Sequence, residues 1–244
     1  MESTITAPKR KKEAYQERPI PPLFNGDHLT WTEFERRYAA QPDLKKAELI
    51  NGIVYIASPA HLPEHSKPHS RIVGWLFNYV AATPGTDFSD NAIVRLDWEN
   101  KARPDAFLRL LETAGGMSQF DETASLVGVP ELIVEVAASG VSFDLYEKLG
   151  VYRRNGVQEY MVLLSYEQET RWFQLVEGEY ILMEPDEDGV IRSQVFPGLH
   201  FHSEMFWNDD LAGLLKVLQA GLDSPEHQAF TAELQARQTD SLGT

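Results

Sequence analysis

The sequence predicts an α/β protein of the α+β class, in which a mixed β-sheet is flanked by helices. The chain has 244 residues and is 43% hydrophobic and 24% charged, which is typical of a soluble globular protein with one full core. Between residues 66 and 165 the hydrophobic periodicity predicts the order helix, strand, strand, strand, helix, strand. Elements in this order pack as one sheet with helices on its faces.

An N-terminal extension precedes this core. Residues 1–26 are rich in proline and charge, and we expect a flexible arm there. Thr30 and Glu33 form a capping box, which predicts that a short helix begins at this point. Asn51-Gly52 between two apolar segments predicts a tight type I′ hairpin, because that turn needs positive φ at both central residues.

The first half of the core should contain one long helix and two strands. Helical spacing predicts a helix that stops at Pro84-Gly85 and has as its apolar residues Ile72, Trp75, Leu76, Tyr79 and Val80. Residues 92–98 and 103–108, separated by a polar turn, predict two antiparallel strands.

The second half should contain a buried strand, a helix and another strand. Residues 131–137 and 159–164 are apolar enough for strands that are covered on both faces. The helix between them should end at Asn155-Gly156, where glycine allows a left-handed cap, and should bury Leu145, Leu149 and Tyr152.

A β-meander and a last helix are expected after the core. The meander strands are predicted at 170–176, 179–184 and 190–195. Asn208 should cap a last core helix, closed by Gly221, that carries Leu211, Leu214, Leu215 and Leu218. We therefore expect one domain over residues 27–221 and a polar helix or tail over residues 222–244.

The composition excludes several classes of protein. The chain has no cysteine, so disulfides, thiolate nucleophiles and cysteine zinc sites are excluded. It contains no apolar segment long enough to span a membrane and no signal-like N-terminus, which makes a cytoplasmic location the expectation. The net charge of −15 disfavours loose attachment to nucleic acid but is compatible with a local basic groove.

Two acids and a lysine are the strongest candidates for a functional site. Glu135 lies inside an apolar strand, where a carboxylate is costly unless a cation neutralises it. Asp105 begins a neighbouring strand, and Lys148 lies on the helix that follows Glu135. Because adjacent strands lie roughly 5 Å apart, the two carboxylates can converge on one ion. With no cysteine available, that ion should be Mg²⁺ or Mn²⁺.

Each of these residues also has an ordinary structural explanation. Glu135 can pair with an arginine or face solvent at a sheet edge. Asp105 follows a proline, as in many plain turns. Lys148 is expected to border the site without being buried, and it can form a simple helix-face pair with Asp144.

Several motifs together resemble the Uma family of restriction endonucleases, within the PD-(D/E)XK nuclease superfamily. They are Glu48-Leu-Ile-Asn-Gly52, Ser58-Pro59 followed by His69, Arg103-Pro-Asp105, Pro130-Glu-Leu-Ile-Val-Glu-Val136, Asp144 with Lys148 and Tyr152, Gly156-Val-Gln-Glu-Tyr160 and Phe196-Pro-Gly-Leu199. The resemblance implies a restriction endonuclease-like core that cuts DNA with Mg²⁺ or Mn²⁺. A homodimer would suit cutting of both strands.

The same resemblance implies roles for individual residues. Asp105 and Glu135 would bind the metal, the Val136 carbonyl would add a ligand, and Lys148 would complete the catalytic site. The superfamily lysine normally follows the second acid by two residues. Here that position is Ala137, and Lys148 matches the place from which family members supply the lysine instead.

The resemblance also implies residues around the metal. Glu48, His69 and Asp144 are candidates for the border of the site, and Arg103 is a candidate substrate contact.

The histidines give two weaker signals. A four-residue spacing relates His61, His65 and His69, as on one helix face, but Pro63 and Pro68 argue against a helix there. A second pair, His200 and His202, lacks a third zinc ligand.

Two alternatives to a nuclease remain open on sequence alone. The first is a nuclease-fold binding or regulatory protein without catalytic activity. The second is an interaction module that binds a basic protein through residues 167–188, which carry eight acids and one base.

Overall fold

The computed structural model describes residues 19–56, 63–138 and 140–242. Most of the predicted N-terminal arm, together with Ser58-Pro59 and His61, lies outside these residues. Within them the chain forms six α-helices: α1 Trp31–Ala39, α2 Pro63–Ala82, α3 Leu149–Asn155, α4 Ser203–Trp207, α5 Leu211–Leu222 and α6 Pro225–Leu242. A π-helical turn, Phe143–Lys148, leads directly into α3. No helix in the described ranges is long and apolar enough to cross a membrane.

The described residues also form fourteen strands in three sheets. They are β1 Ala47–Ile50, β2 Ile53–Ile56, β3 Thr86–Asp90, β4 Val94–Arg95, β5 Lys101–Ala102, β6 Ala106–Leu110, β7 Gln119–Phe120, β8 Leu126–Val127, β9 Leu132–Ala137, β10 Glu159–Leu164, β11 Glu169–Val176, β12 Glu179–Leu182, β13 Val190–Arg192 and β14 His200–His202. The central sheet has the order β12-β11-β10-β9-β6-β3. Only β9 and β10 are parallel in it, as their helical crossover requires. The predicted mixed sheet with flanking helices is confirmed.

The second sheet contains the N-terminal hairpin and has the order β2-β1-β5-β4-β8-β7. The hairpin turn is as predicted, with φ of 54° at Asn51 and 71° at Gly52. Thr30 Oγ1 accepts a hydrogen bond from the Glu33 amide at 3.4 Å. The Glu33 carboxylate binds Arg36 and Arg37 instead of reaching back to the helix start. Only the threonine half of the predicted capping box is therefore formed.

The two faces of β9 are covered by different parts of the chain. Val134 and Val136 belong to the apolar cluster that contains the buried residues of α2 and α5. Ile133 and Ala137 belong to the cluster that contains the buried residues of α3. Because side chains alternate along a strand, Glu135 points to the α3 side.

The strands predicted at 92–98 and 103–108 are placed differently in the structure. The antiparallel pair consists of β4 and β5, which are short and belong to the hairpin sheet. By contrast, β6 lies in the central sheet between β3 and β9. The segment Arg103-Pro104-Asp105 connects the two sheets. It belongs to neither strand, since Pro104 has no N–H to donate to a neighbouring strand.

The C-terminal predictions are partly correct. β11 and β12 continue the central sheet, whereas β13 leaves the meander and pairs with β14. Asn208 ends α4, and Asp210 is the residue that caps α5, through a 2.9 Å bond from the Gly213 amide. The predicted cap was therefore wrong by two residues.

Candidate functional site

A buried cluster of acids and lysines lies where the hairpin sheet meets the central sheet. It combines four carboxylates with two ammonium groups: Glu48, Asp105, Glu135, Asp144, Lys46 and Lys148. We call this set the acid–lysine cluster. It has an excess of two formal negative charges, which is unfavourable away from water.

Lys148 makes most of the contacts within the cluster. Its Nζ donates to Glu135 Oε1 at 2.9 Å and lies 3.2 Å from Glu48 Oε1 and 3.7 Å from Asp144 Oδ1. The residue is only 3% exposed, so the expectation that it borders the site without being buried was wrong. That expectation assumed an α-helix, whereas Lys148 ends a π-helical turn, whose extra residue per turn rotates the side chains that follow.

Glu135 is held by a lysine and a tyrosine. Its Oε1 accepts hydrogen bonds from Lys148 and from the Tyr152 hydroxyl, both at 2.9 Å. Burial is the largest influence on its pKa and, with neighbouring acids such as Asp105, raises it to about 8, while Lys148 acts in the opposite direction. Glu135 is thus neither paired with an arginine nor exposed at a sheet edge.

Asp105 has one bonded and one unbonded carboxylate oxygen. Oδ2 accepts from the Val136 amide at 2.8 Å and lies 3.2 Å from His65 Nε2. Oδ1 is buried without a hydrogen-bond partner among the described residues, and the Lys46 ammonium stands 3.6 Å away. Burial raises the Asp105 pKa, but His65, Lys46 and the Val136 amide together lower it below its usual value. The carboxylate is therefore ionised.

The remaining acids also face the lysine. Burial and the nearby acids Asp105 and Glu48 raise the pKa of Asp144 to about 6, against the effect of Lys148. The charges of Glu135, Glu48 and Asp144 raise the pKa of Lys148 well above its usual value although burial opposes this. Lys148 therefore stays charged. Glu48 Oε1 additionally accepts from the Arg103 amide at 2.6 Å, which ties the hairpin sheet to the turn before Asp105.

The Arg103 side chain points to main-chain carbonyls. Its Nε donates to Asn91 O and its Nη1 to Lys45 O, each at 2.6 Å. These contacts hold the turn that carries Asp105. A contact with substrate stays a prediction for this residue.

Two histidines approach Asp105 from α2. His69 was expected at the border of the site, whereas the two prolines argued against a helix that carries both His65 and His69. Contrary to that argument, α2 begins at Pro63 and continues through Pro68. Pro63 occupies the first helical position, where proline is favoured. Pro68 lies inside the helix, in its N-terminal part, and removes one backbone hydrogen bond there. The His65 and His69 rings are 5.8 Å apart.

His69 and His65 contact different parts of Asp105. The Nε2 atom of His69 lies 3.1 Å from Asp105 O and 3.3 Å from Asn91 Nδ2. The Nε2 atom of His65 instead faces the carboxylate. His65 is therefore a site residue that the sequence interpretation missed.

Lys46 was also missed, although it is spaced two residues from Glu48. In an extended segment that spacing places both side chains on one face. The predicted hairpin could have revealed it. Tyr152 was predicted only as a buried helix residue, and its hydroxyl contact with Glu135 needs the three-dimensional structure.

The other metal signals are weak in the structure. His202 Nδ1 accepts from the Met205 amide at 3.4 Å and caps α4, far along the chain from the cluster. In the part of the chain that the structure describes, no three His, Asp or Glu side chains are arranged as a metal-binding group.

Comparisons with known proteins agree on the fold and the family. A crystal structure of a putative nuclease belonging to DUF820 from Anabaena variabilis ATCC 29413 is similar over 74% of this chain and 98% of that chain, with a TM-score of 0.55 and 15% identity. No curated protein matches the chain significantly. The model of the Uma2 family, described as putative restriction endonuclease, matches residues 31–204, a span that includes every member of the acid–lysine cluster. The chain therefore belongs to the Uma2 family of putative restriction endonucleases.

Proposed function

We propose that the protein is a metal-dependent endonuclease that hydrolyses DNA phosphodiester bonds at the acid–lysine cluster. The observation that carries this proposal is the buried Oδ1 atom of the ionised Asp105 carboxylate, which has no hydrogen-bond donor among the residues that the structure describes and lies in an acid-rich cluster. Membership of a family of restriction endonucleases supports a nucleic acid as the substrate.

The donor set fits Mg²⁺ or Mn²⁺. Mg²⁺ is commonly held by one or two carboxylates and keeps several waters, so it does not need three protein ligands. Asp105 and Glu135 would hold the ion, with the Val136 carbonyl as the additional ligand that the family resemblance implies. With every carboxyl of the cluster ionised, the excess of two negative charges would equal the charge of one divalent cation. When bound, such an ion lowers the pKa of its water and stabilises charge on the phosphorus centre.

Lys148 is the cation with which the chain itself would act on the substrate. Its Nζ donates to Glu135 and also faces Glu48 at 3.2 Å and Asp144 at 3.7 Å. An attacking water or a phosphoryl oxygen would replace one of these acids as the partner of the ammonium. Tyr152 donates to the same Glu135 oxygen and fixes the orientation of that acid.

The approach of DNA needs local positive charge, because the whole chain is acidic. Lys45 and Lys67 are exposed, and Lys46 is half-buried beside Asp105. Phosphate oxygens are attracted by such groups in a salt-dependent way. Lys46 places positive charge 3.6 Å from Asp105 Oδ1, where a phosphate would have to approach.

A plasmid-nicking assay with added Mg²⁺ or Mn²⁺ tests the proposal. Asp105→Asn should lower the rate on the order of 100-fold or more, because it removes a charged ligand. Asp188→Asn is the matched control: it makes the same chemical change at an exposed loop position and should leave the rate unchanged. Equal nicking by wild type and Asp105→Asn would refute the assignment.

The alternative is a nuclease-fold protein that binds DNA without cutting it. It is favoured by the engagement of Lys148 with three acids at once. In that case DNA binding would be measurable while no metal ion would promote nicking. Asp105→Asn would then leave DNA affinity unchanged or raise it, since it removes a negative charge.

A further inference from the structure

We infer that His65 is a metal ligand beside Asp105, and that the site therefore prefers Mn²⁺, or a similar transition-metal ion, to Mg²⁺. The inference rests on the proposed metal-dependent function and specifies which ion serves it. The two side chains concerned are His65, in the first turns of α2, and Asp105, which immediately precedes β6.

The distance between the two side chains suits neighbouring ligands of one ion. His65 Nε2 is 3.2 Å from Asp105 Oδ2. Two ligands at right angles, each roughly 2.1 Å from a metal, are about 3 Å apart. The pair therefore needs only a small adjustment to hold an ion between them.

The surroundings leave the His65 imidazole available to bind a metal ion, whereas the His69 imidazole is already engaged. His69 Nε2 already faces the Asp105 carbonyl and the Asn91 amide. His65 Nε2 faces the Asp105 carboxylate at 3.2 Å, and the His65 side chain is 28% exposed, so water and ions can reach it. The neighbouring Asp105 Oδ1 is buried and has no hydrogen-bond donor within residues 19–56, 63–138 and 140–242.

The ligand types decide the metal preference. Mg²⁺ is a hard ion that takes oxygen ligands and rarely accepts imidazole. Imidazole suits transition-metal ions, whereas carboxylate and water suit Mg²⁺ and Mn²⁺ alike. An imidazole beside the Asp105 carboxylate therefore favours Mn²⁺ over Mg²⁺, while an all-oxygen site would not.

Pulsed electron paramagnetic resonance on the Mn²⁺-loaded full chain tests the inference. Wild type should show coupling of the manganese electrons to a histidine nitrogen. In His65→Gln this coupling should disappear, because glutamine has no imidazole nitrogen. Glutamine can still donate a hydrogen bond to Asp105, so the change removes little else. His69→Gln is the matched control from the same helix and should keep the coupling.

Competition between the two ions gives a second measurement. The Mg²⁺ concentration needed to displace Mn²⁺ should fall on the order of tenfold in His65→Gln and stay near the wild-type value in His69→Gln. Mn²⁺ without nitrogen coupling in wild type, coupling retained in His65→Gln, or no Mn²⁺ binding would each overturn the inference.

Parallel nicking assays separate this inference from the proposed function. Nitrogen coupling that depends on His65, without any DNA cleavage, would support the ligand assignment and refute the nuclease activity. Cleavage that depends on Asp105 but occurs without nitrogen coupling would support the nuclease and refute the role of His65.

Discussion

Replacement of Lys148 by methionine should destabilise the protein strongly. The ammonium lies within 3.7 Å of three carboxylates, whose side chains are between 3% and 11% exposed. Methionine preserves much of the apolar stem and removes only the charge. The three acids would then be buried with no cation in contact, and breaking such a buried pair costs about 3–5 kcal/mol.

Lys101→Met provides the matched control. Lys101 is nearly as buried, at 7% side-chain exposure, but its acid partner Glu35 is 37% exposed. Water can solvate Glu35 when the ammonium is lost, so the ion pair should contribute only about 0–1 kcal/mol. Its contacts with the rings of Trp31, Phe34 and Tyr38 add about 1 kcal/mol. The control should therefore cost about 1–2 kcal/mol.

Urea unfolding followed by tryptophan fluorescence would measure both free energies, provided the slope with urea stays constant. Adding Glu48→Gln to Lys148→Met should recover about 1–3 kcal/mol, because it removes one of the stranded carboxylates. Equal losses for the two lysine variants, or no recovery in the double variant, would mean that Lys148 does not neutralise the cluster.

Two further predictions concern regions away from the cluster. Burial raises the pKa of Glu159 from 4.5 to about 7, although hydrogen bonds from Gln194, Ser193 and Val195 act in the opposite direction. The folded state therefore holds this proton more tightly than the unfolded state. The free energy of unfolding should fall by about 3 kcal/mol as the pH rises from 4.5 through about 7. Between about pH 5 and pH 8, urea unfolding should show a loss of stability about 3 kcal/mol larger in wild type than in Glu159→Gln, and parallel curves for the two proteins would contradict this. Gly128→Ala should lower the free energy of unfolding by at least about 2 kcal/mol more than Gly178→Ala. Both glycines have positive φ, but only at Gly128 would a Cβ meet a carbonyl oxygen, that of Met117 at 2.4 Å. Similar melting temperatures for the two variants would refute this.

Most of the core was predictable because local sequence and tertiary packing agree there. The Asn51-Gly52 turn, β9, β10 and the cap at Gly156 lie where their local signals indicate. β3 was missed because Thr86–Asp90 is polar and lies at the sheet edge. An edge strand needs few apolar residues, so its sequence resembles a loop.

The site was predictable in its residue types but only partly in its geometry. The cost of burying Glu135 identified the acid without any structure. The contact between Lys148 and Glu48 joins a strand of the hairpin sheet to the π-helical turn before α3, and the sequence does not reveal that turn. His65 was missed because the two prolines argue against a helix, whereas Pro63 takes the first helical position of α2 and the helix tolerates Pro68 inside it.

The excess of acids bears directly on the choice between a nuclease and a non-catalytic relative. Packing on both faces of β9 prevents Glu135 from turning towards water, and Asp144 is buried with a raised pKa. A buried acid without a countercharge costs stability, and a neutral residue of similar size would relieve that cost. A protein that no longer bound a cation would gain stability by losing one of these acids. This chain retains four around two lysines, which supports a divalent cation as the missing countercharge and favours the metal-dependent function.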